Sequence, residues 1–141
     1  MLEFHIPTHR ELVDCYYSMP GWDDTEEPCA GDFARNTLKH CVPFLICRGG
    51  KRLCFFNLYD FDCGTAMCSV YLFERDIGVW RIFPQMLRRI FEVSGLYEIN
   101  ANISTIRPRS LRIAKKIGFR EVGSSENTHF LTLTAKEVFH G

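Results

Sequence analysis

The chain has 141 residues, 46% of them hydrophobic and 24% charged, with 17 basic and 17 acidic side chains. That length suits a single domain, 1–141, with one real core, and the composition reads as globular rather than disordered. A net charge of zero gives no general attraction to nucleic acid or to a membrane surface.

No apolar run is long enough to span a bilayer. The start, Met1-Leu-Glu-Phe-His5, lacks the charged and apolar regions of a signal peptide. Seven cysteines are an odd number, and no two stand at the two-residue gap of a zinc or redox motif. Cys47, Cys54 and Cys68 lie in apolar strand-like runs, where thiols act as small hydrophobes. The expectation is a cytoplasmic protein with reduced cysteines and no metal; Cys63 and Cys68 with a histidine are the zinc alternative.

Alternation over Leu2 to Ile6 predicts a first strand. Thr8, with Glu11 three residues on, has the pattern of a capping box for a helix running to about Ser18, and Met19-Pro20-Gly21 ends it. A loop from Trp22 to Pro28 follows, carrying Asp23, Asp24, Glu26 and Glu27. Gly31 or Asp32 opens a second helix, with Phe33, Leu38 and Cys41 on one face, until Pro43 breaks it.

Phe44 to Cys47 is a strand, Arg48-Gly-Gly-Lys51 a hairpin turn, and Leu53 to Phe61 the return strand. Asp62-Cys-Gly64 turns again into a strand from Thr65 to Phe73, completing an antiparallel meander. Phe55, Phe56, Tyr59, Phe61, Tyr71 and Phe73 read as cross-strand pairs within it. Trp80, Phe83, Leu87, Ile90 and Phe91 then recur at helical spacing, and Gly95 stops that helix. Leu96 to Ser104 is a strand. Pro108 and Ser110 open a helix, Leu111 to Ile117, ending at Gly118. Phe119 to Val122 and Phe130 to Thr134 are closing strands around the polar Gly123 to Asn127.

The run Arg107-Pro-Arg-Ser-Leu-Arg-Ile-Ala-Lys-Lys-Ile-Gly-Phe119 resembles the last helix of the GCN5-related N-acetyltransferases, which ends in Lys-x-Gly-Phe before a strand. Arg75-x-x-Gly78-x-Trp80 is similar to that family's acyl-CoA pyrophosphate loop, with Trp80 in place of a small residue. The order of predicted elements matches the family along the whole chain. The resemblance implies an α/β (α+β) fold with a mixed, mostly antiparallel sheet of six or seven strands and about four helices. It also implies acetyl-CoA as donor and an amine, on a small molecule or a protein, as acceptor. Ala114 stands where many members carry a tyrosine that protonates the departing thiolate. Arg107 stands where an asparagine often holds the pantetheine arm.

A strand, a turn with glycine and a helix start make an anion site, because unpaired N–H groups and the helix dipole act together. In the resembled arrangement, backbone groups near Val70 and Leu72 pair with the pantetheine amides. The N–H groups of Gly78, Val79 and Trp80 receive the pyrophosphate, with Arg75 and Arg81 as charge partners. Glu74 is the first candidate for the general base, followed by Asp60 and Asp62. The acidic loop either attracts a cationic acceptor or is solvated, and Tyr16, Tyr17 and Trp22 line the acceptor pocket or the core. His129 reads as structural.

The basic run of Arg107, Arg109, Arg112, Lys115, Lys116 and Arg120 has no interleaved aromatic residues to stack bases, so nucleic acid is not expected as a partner. The competing reading is a non-catalytic binding or assembly protein of the same fold, such as a phage head-assembly factor. Association as a homodimer is left open.

Overall fold

The computed structural model describes residues 2–19, 29–73 and 81–140. Two compact units divide these: one holds the chain up to Tyr59 together with Ser69 to Phe73, the other Asp60 to Cys68 and the chain from Arg81.

In the first unit, β1 (Leu2–His5) pairs antiparallel with β2 (Val42–Arg48), and β2 with β3 (Lys51–Asp62). Between β1 and β2 come α1 (His9–Ser18) and α2 (Ala30–His40). The expected capping box is present. The Thr8 hydroxyl accepts the Glu11 N–H at 3.1 Å, and the Glu11 carboxylate accepts the Thr8 N–H at 3.0 Å. A neutral or charged group at this place satisfies donors that a helix start otherwise leaves unpaired.

From α1, Leu12 and Cys15 enter a cluster with Phe33 and Ala34 of α2 and with Leu45, Cys47 and Phe55 of the strands. The expected apolar face of α2 is corrected here. It buries Ala30, Phe33, Ala34 and Thr37, whereas Leu38 is exposed and Cys41 lies past the helix end. Phe33, Ala34 and Thr37 keep the spacing of one helix face, and Leu38 falls one step beyond it. Leu53 to Leu58 of β3 are all buried, which marks a strand covered on both faces, where an apolar run replaces alternation.

The second unit contains the start of β4 (Thr65–Leu72), then α3 (Phe83–Ser94), β5 (Glu98–Ser104), α4 (Pro108–Lys116), β6 (Arg120–Ser124), β7 (Thr128–Thr134) and α5 (Ala135–His140). α3 buries Phe83, Met86, Leu87, Ile90 and Phe91, each fully buried Leu, Ile, Phe or Met side chain being worth roughly 1.5–3 kcal/mol. It ends at Gly95, in the left-handed region at φ 70°, whose N–H bonds the Phe91 carbonyl at 3.1 Å. β5 pairs antiparallel with β7 over its whole length, and β7 with β6. Ile99 opposes Leu133 in that pairing, and both are buried.

Among the described residues the strand order is β1-β2-β3-β4-β5-β7-β6, a mixed sheet of seven strands with five helices, in line with the expected six or seven strands and about four helices. The last helix, α5, has a capping box of its own: the Thr134 hydroxyl accepts the Glu137 N–H at 3.1 Å and Glu137 accepts the Thr134 N–H at 3.2 Å.

Candidate functional site

β4 and β5 are the parallel neighbours of the sheet, and their ladder is short. It joins Thr65, Ala66 and Met67 to Glu98, Ile99 and Asn100. Both strands continue beyond it, β4 to Leu72 and β5 to Ser104. The ladder therefore stops at Met67 and Asn100 while both strands run on. β5 satisfies its other edge with β7 throughout. On β4, Ser69 and Val70 are exposed and Tyr71 and Leu72 half-buried. A strand that outruns its ladder can take an extended ligand as an added strand.

The base of the ladder is fixed by Gly64. Its φ is +84°, its carbonyl accepts the Tyr97 N–H at 2.9 Å, and the Tyr97 ring lies where a Cβ on residue 64 would come to 2.7 Å of two ring carbons. Only a residue without a side chain fits that approach.

The start of α3 has no capping hydrogen bond from its own cap residue, Ile82; Pro84 lies in the first turn, and that turn has no acidic residue. Arg81, exposed, is in the 3₁₀ turn that leads into it. The dipole at a helix start favours an anion.

Of the site residues expected from sequence, Val70, Leu72 and Arg81 lie in these elements. Glu74, Arg75, Gly78, Val79 and Trp80 lie outside the described residues, as does the acidic loop with Trp22. Asp60 and Asp62 are exposed at the end of β3, with Asp60 at φ 51°. Tyr16 packs on Phe33 with ring centroids 5.6 Å apart, while Tyr17 is exposed. Ala114 is buried in α4. In the basic run, Lys115 pairs with Glu121 and Arg120 with Glu137. His129 bonds Glu121 at 2.7 Å.

Cys68, the first β4 residue past the ladder, is buried, and burial pushes its thiol up to about 12. It stays protonated and is a poor nucleophile or ligand. Among the described residues, no group of three or more His, Cys, Asp or Glu side chains is placed to hold a metal ion. None of the described helices is long and apolar enough to cross a membrane.

A polar row on β5 and β7 was not singled out from the sequence. The Thr132 hydroxyl donates to Asn100 Oδ1 at 2.5 Å, and Asn100 Nδ2 donates to Glu98 Oε2 at 3.2 Å. The sequence signal is Glu98-Ile-Asn-Ala-Asn102, in which polar and apolar residues alternate. Such alternation puts the polar set on one face of a strand.

No protein-family model matches the chain, and no curated sequence does. Solved structures match along nearly its full length. Aminoglycoside acetyltransferase AAC(6')-Ib, in complex with coenzyme A and kanamycin, is similar with a TM-score of 0.74 and 14% identity, covering 100% of both chains. A spermidine N-acetyltransferase chimera from Vibrio cholerae and hSSAT gives 0.79 at 12% identity, covering 99% of each chain. The N-acetyltransferase PseH of Campylobacter jejuni gives 0.72 at 12%, over 94% of this chain and 97% of its own. At such identities the likeness is one of architecture, and it agrees with the strand order and the short parallel ladder: the chain has the fold of the GCN5-related N-acetyltransferases.

Proposed function

We propose that this chain is an acetyl-CoA-dependent N-acetyltransferase that passes an acetyl group directly to an amine. The observation that carries the reading is the early end of the β4–β5 ladder at Met67 and Asn100, while β4 runs on to Leu72. The uncapped start of α3 supports it. So does the fold, since solved proteins that share it are acetyltransferases, some in complex with coenzyme A or acetyl-CoA and one named for spermidine.

In this reading, main-chain groups of Val70 and Leu72 bind the two amides of the pantetheine arm as an added strand would. Gly78, Val79 and Trp80 offer N–H groups to the pyrophosphate, with Arg75 and Arg81 as its charge partners. Bound acetyl-CoA supplies a thioester carbonyl open to attack. Glu74 takes the proton that an ammonium must lose before its nitrogen can act as nucleophile. Ala114 has no proton to give a departing thiolate, so that proton comes from water. Placement of the two reactants accounts for most of the rate, such holding being worth up to roughly 7–11 kcal/mol.

The test is a thermal-shift series with acetyl-CoA, CoA and ADP. A hundredfold excess over Kd should stabilise the fold by about 2.7 kcal/mol. Gly78→Leu should abolish the shift. Glu74→Gln should preserve it and lower turnover. The absence of any shift at millimolar ligand would replace this reading with the non-catalytic binding or assembly protein.

A further inference from the structure

Asn57 is buried in β3, 8% exposed, and its Oδ1 has no hydrogen-bond partner among the described residues. Native proteins leave few buried polar atoms unpaired, because each forfeits its bonds to water. On β2 the residue opposite Asn57 is Pro43, which has no N–H to give.

The neighbour on β4 follows from one bond. β3 and β4 are adjacent strands joined by a tight turn, and the Phe73 N–H donates to the Leu53 carbonyl at 3.0 Å. Residues 53 and 73 are therefore opposite one another, and counting four residues along each strand brings Ser69 beside Asn57. By the same count Tyr71 lies beside Phe55, and the two belong to one apolar cluster with Phe73 and Tyr16. Opposite residues point to one face, so Asn57, Ser69, Tyr71 and Phe73 share the face that α1 and α2 cover. Ser69 is nevertheless exposed, and Tyr16, Tyr71 and Phe73 are half-buried. The cover opens over Ser69, and Asn57 forms the wall of that opening. All these residues belong to one compact unit, and none of these side chains is charged at neutral pH.

We infer that this opening holds the acceptor, whose amine N–H donates to Asn57 Oδ1 after a turn about the soft χ2 torsion, and whose body is an apolar ring packed on Tyr71. The preferred acceptor is thus an aromatic monoamine. The word acceptor rests on the N-acetyltransferase reading, while the donor-binding site stands on the geometry of Asn57 and Ser69.

In an NMR titration of the wild-type chain, phenethylamine should move the side-chain NH2 resonances of Asn57 and the backbone N–H of Ser69. Phenethyltrimethylammonium keeps the ring and the charge but has no N–H, and it should bind at least tenfold more weakly. Butylamine, with N–H groups and no ring, should do the same. Asn57→Leu removes the hydrogen-bond acceptor at similar volume. It should weaken phenethylamine binding at least tenfold, read at Ser69, with no fall in the urea midpoint. In the acetyl-transfer assay it should raise KM for phenethylamine at least tenfold and leave KM for acetyl-CoA unchanged.

Phenethylamine leaving Asn57 and Ser69 undisturbed in the wild type overturns the site, whether or not acetyl-CoA binds and whatever the variant does. Equal binding of the quaternary analogue or of butylamine overturns it as well, and so does unchanged affinity in Asn57→Leu. Phenethylamine binding that depends on Asn57, with no acetyl-CoA shift or turnover, upholds the site and removes the transferase reading.

Discussion

Replacing Gly64 by alanine should cost about 2 kcal/mol. Two effects add up at this position. A residue with a Cβ at φ +84° is held in the left-handed region, at about 1–2 kcal/mol for an L-residue. The new Cβ would also come within 2.7 Å of two Tyr97 ring carbons, so the ring must move. Tyr97 is more than half exposed, which lets it swing away at a modest further cost, of the order of 0.5–1 kcal/mol for an off-rotamer side chain.

At about 2.1 cal/mol/K per residue the unfolding entropy of a 141-residue chain is about 0.3 kcal/mol/K, so 2 kcal/mol lowers Tm by about 7 °C. Calorimetry on Gly64→Ala, Tyr97→Ala and the double variant separates the parts. With the ring gone, only the backbone share, about 1–2 kcal/mol, should remain. A Gly64→Ala Tm within 2 °C of wild type would refute the reasoning. An equal loss in both backgrounds would refute the share assigned to the ring.

Asn57→Leu should stabilise the protein by about 1 kcal/mol in urea unfolding. Asn57 is buried in β3 and its Oδ1 has no partner among the described residues, so an apolar side chain removes an unmet demand; a loss of stability would show that the amide is satisfied. Thr8→Ala should cost about 1 kcal/mol at neutral pH by removing the cap. Glu11 contributes with a pH signature. The Thr8 backbone N–H first, and then the His5 hydrogen bond, hold its carboxyl below the usual 4.5. A carboxyl lowered in the folded state stabilises above its unfolded pKa and loses that contribution as pH falls through the lowered value. Wild type and Glu11→Gln should therefore differ at pH 7 and converge as the pH falls through the lowered value, and a constant gap would deny the coupling.

Thiol labelling offers a check on packing. Cys29 and Cys63 are exposed, whereas Cys15, Cys47, Cys54 and Cys68 are buried, with Cys15 pushed up to about 11 by burial. The two exposed thiols should react with a disulfide reagent at pH 8, and the four buried ones only after denaturant is added.

Elements whose signals are local were legible in the sequence. Thr8-x-x-Glu11 gave α1, Arg48-Gly-Gly-Lys51 gave the β2–β3 hairpin, and the apolar spacing of Phe83, Leu87, Ile90 and Phe91 with Gly95 gave α3. α5 had the same kind of signal in Thr134-x-x-Glu137, yet it is six residues long, too short for a helical period to stand out against the strand before it. Leu38 was misassigned because one residue of phase error, about 100° around the helix, moves a side chain off the buried face. Whether a polar residue in a strand faces a partner or solvent depends on register, which sequence does not carry.

That last limit explains why Glu74 drew attention and Glu98 did not. Glu74 sits beside a recognisable loop motif, while Glu98 gains meaning only through Thr132, 34 positions away in the chain, and through Asn100, which the β5–β7 register sets opposite Thr132. Sequence order gives no reason to join the three. The row is a cross-strand polar contact of the kind worth roughly 0.2–1 kcal/mol. Thr132→Val should cost about that much stability in urea unfolding, and an unchanged midpoint would refute the contact.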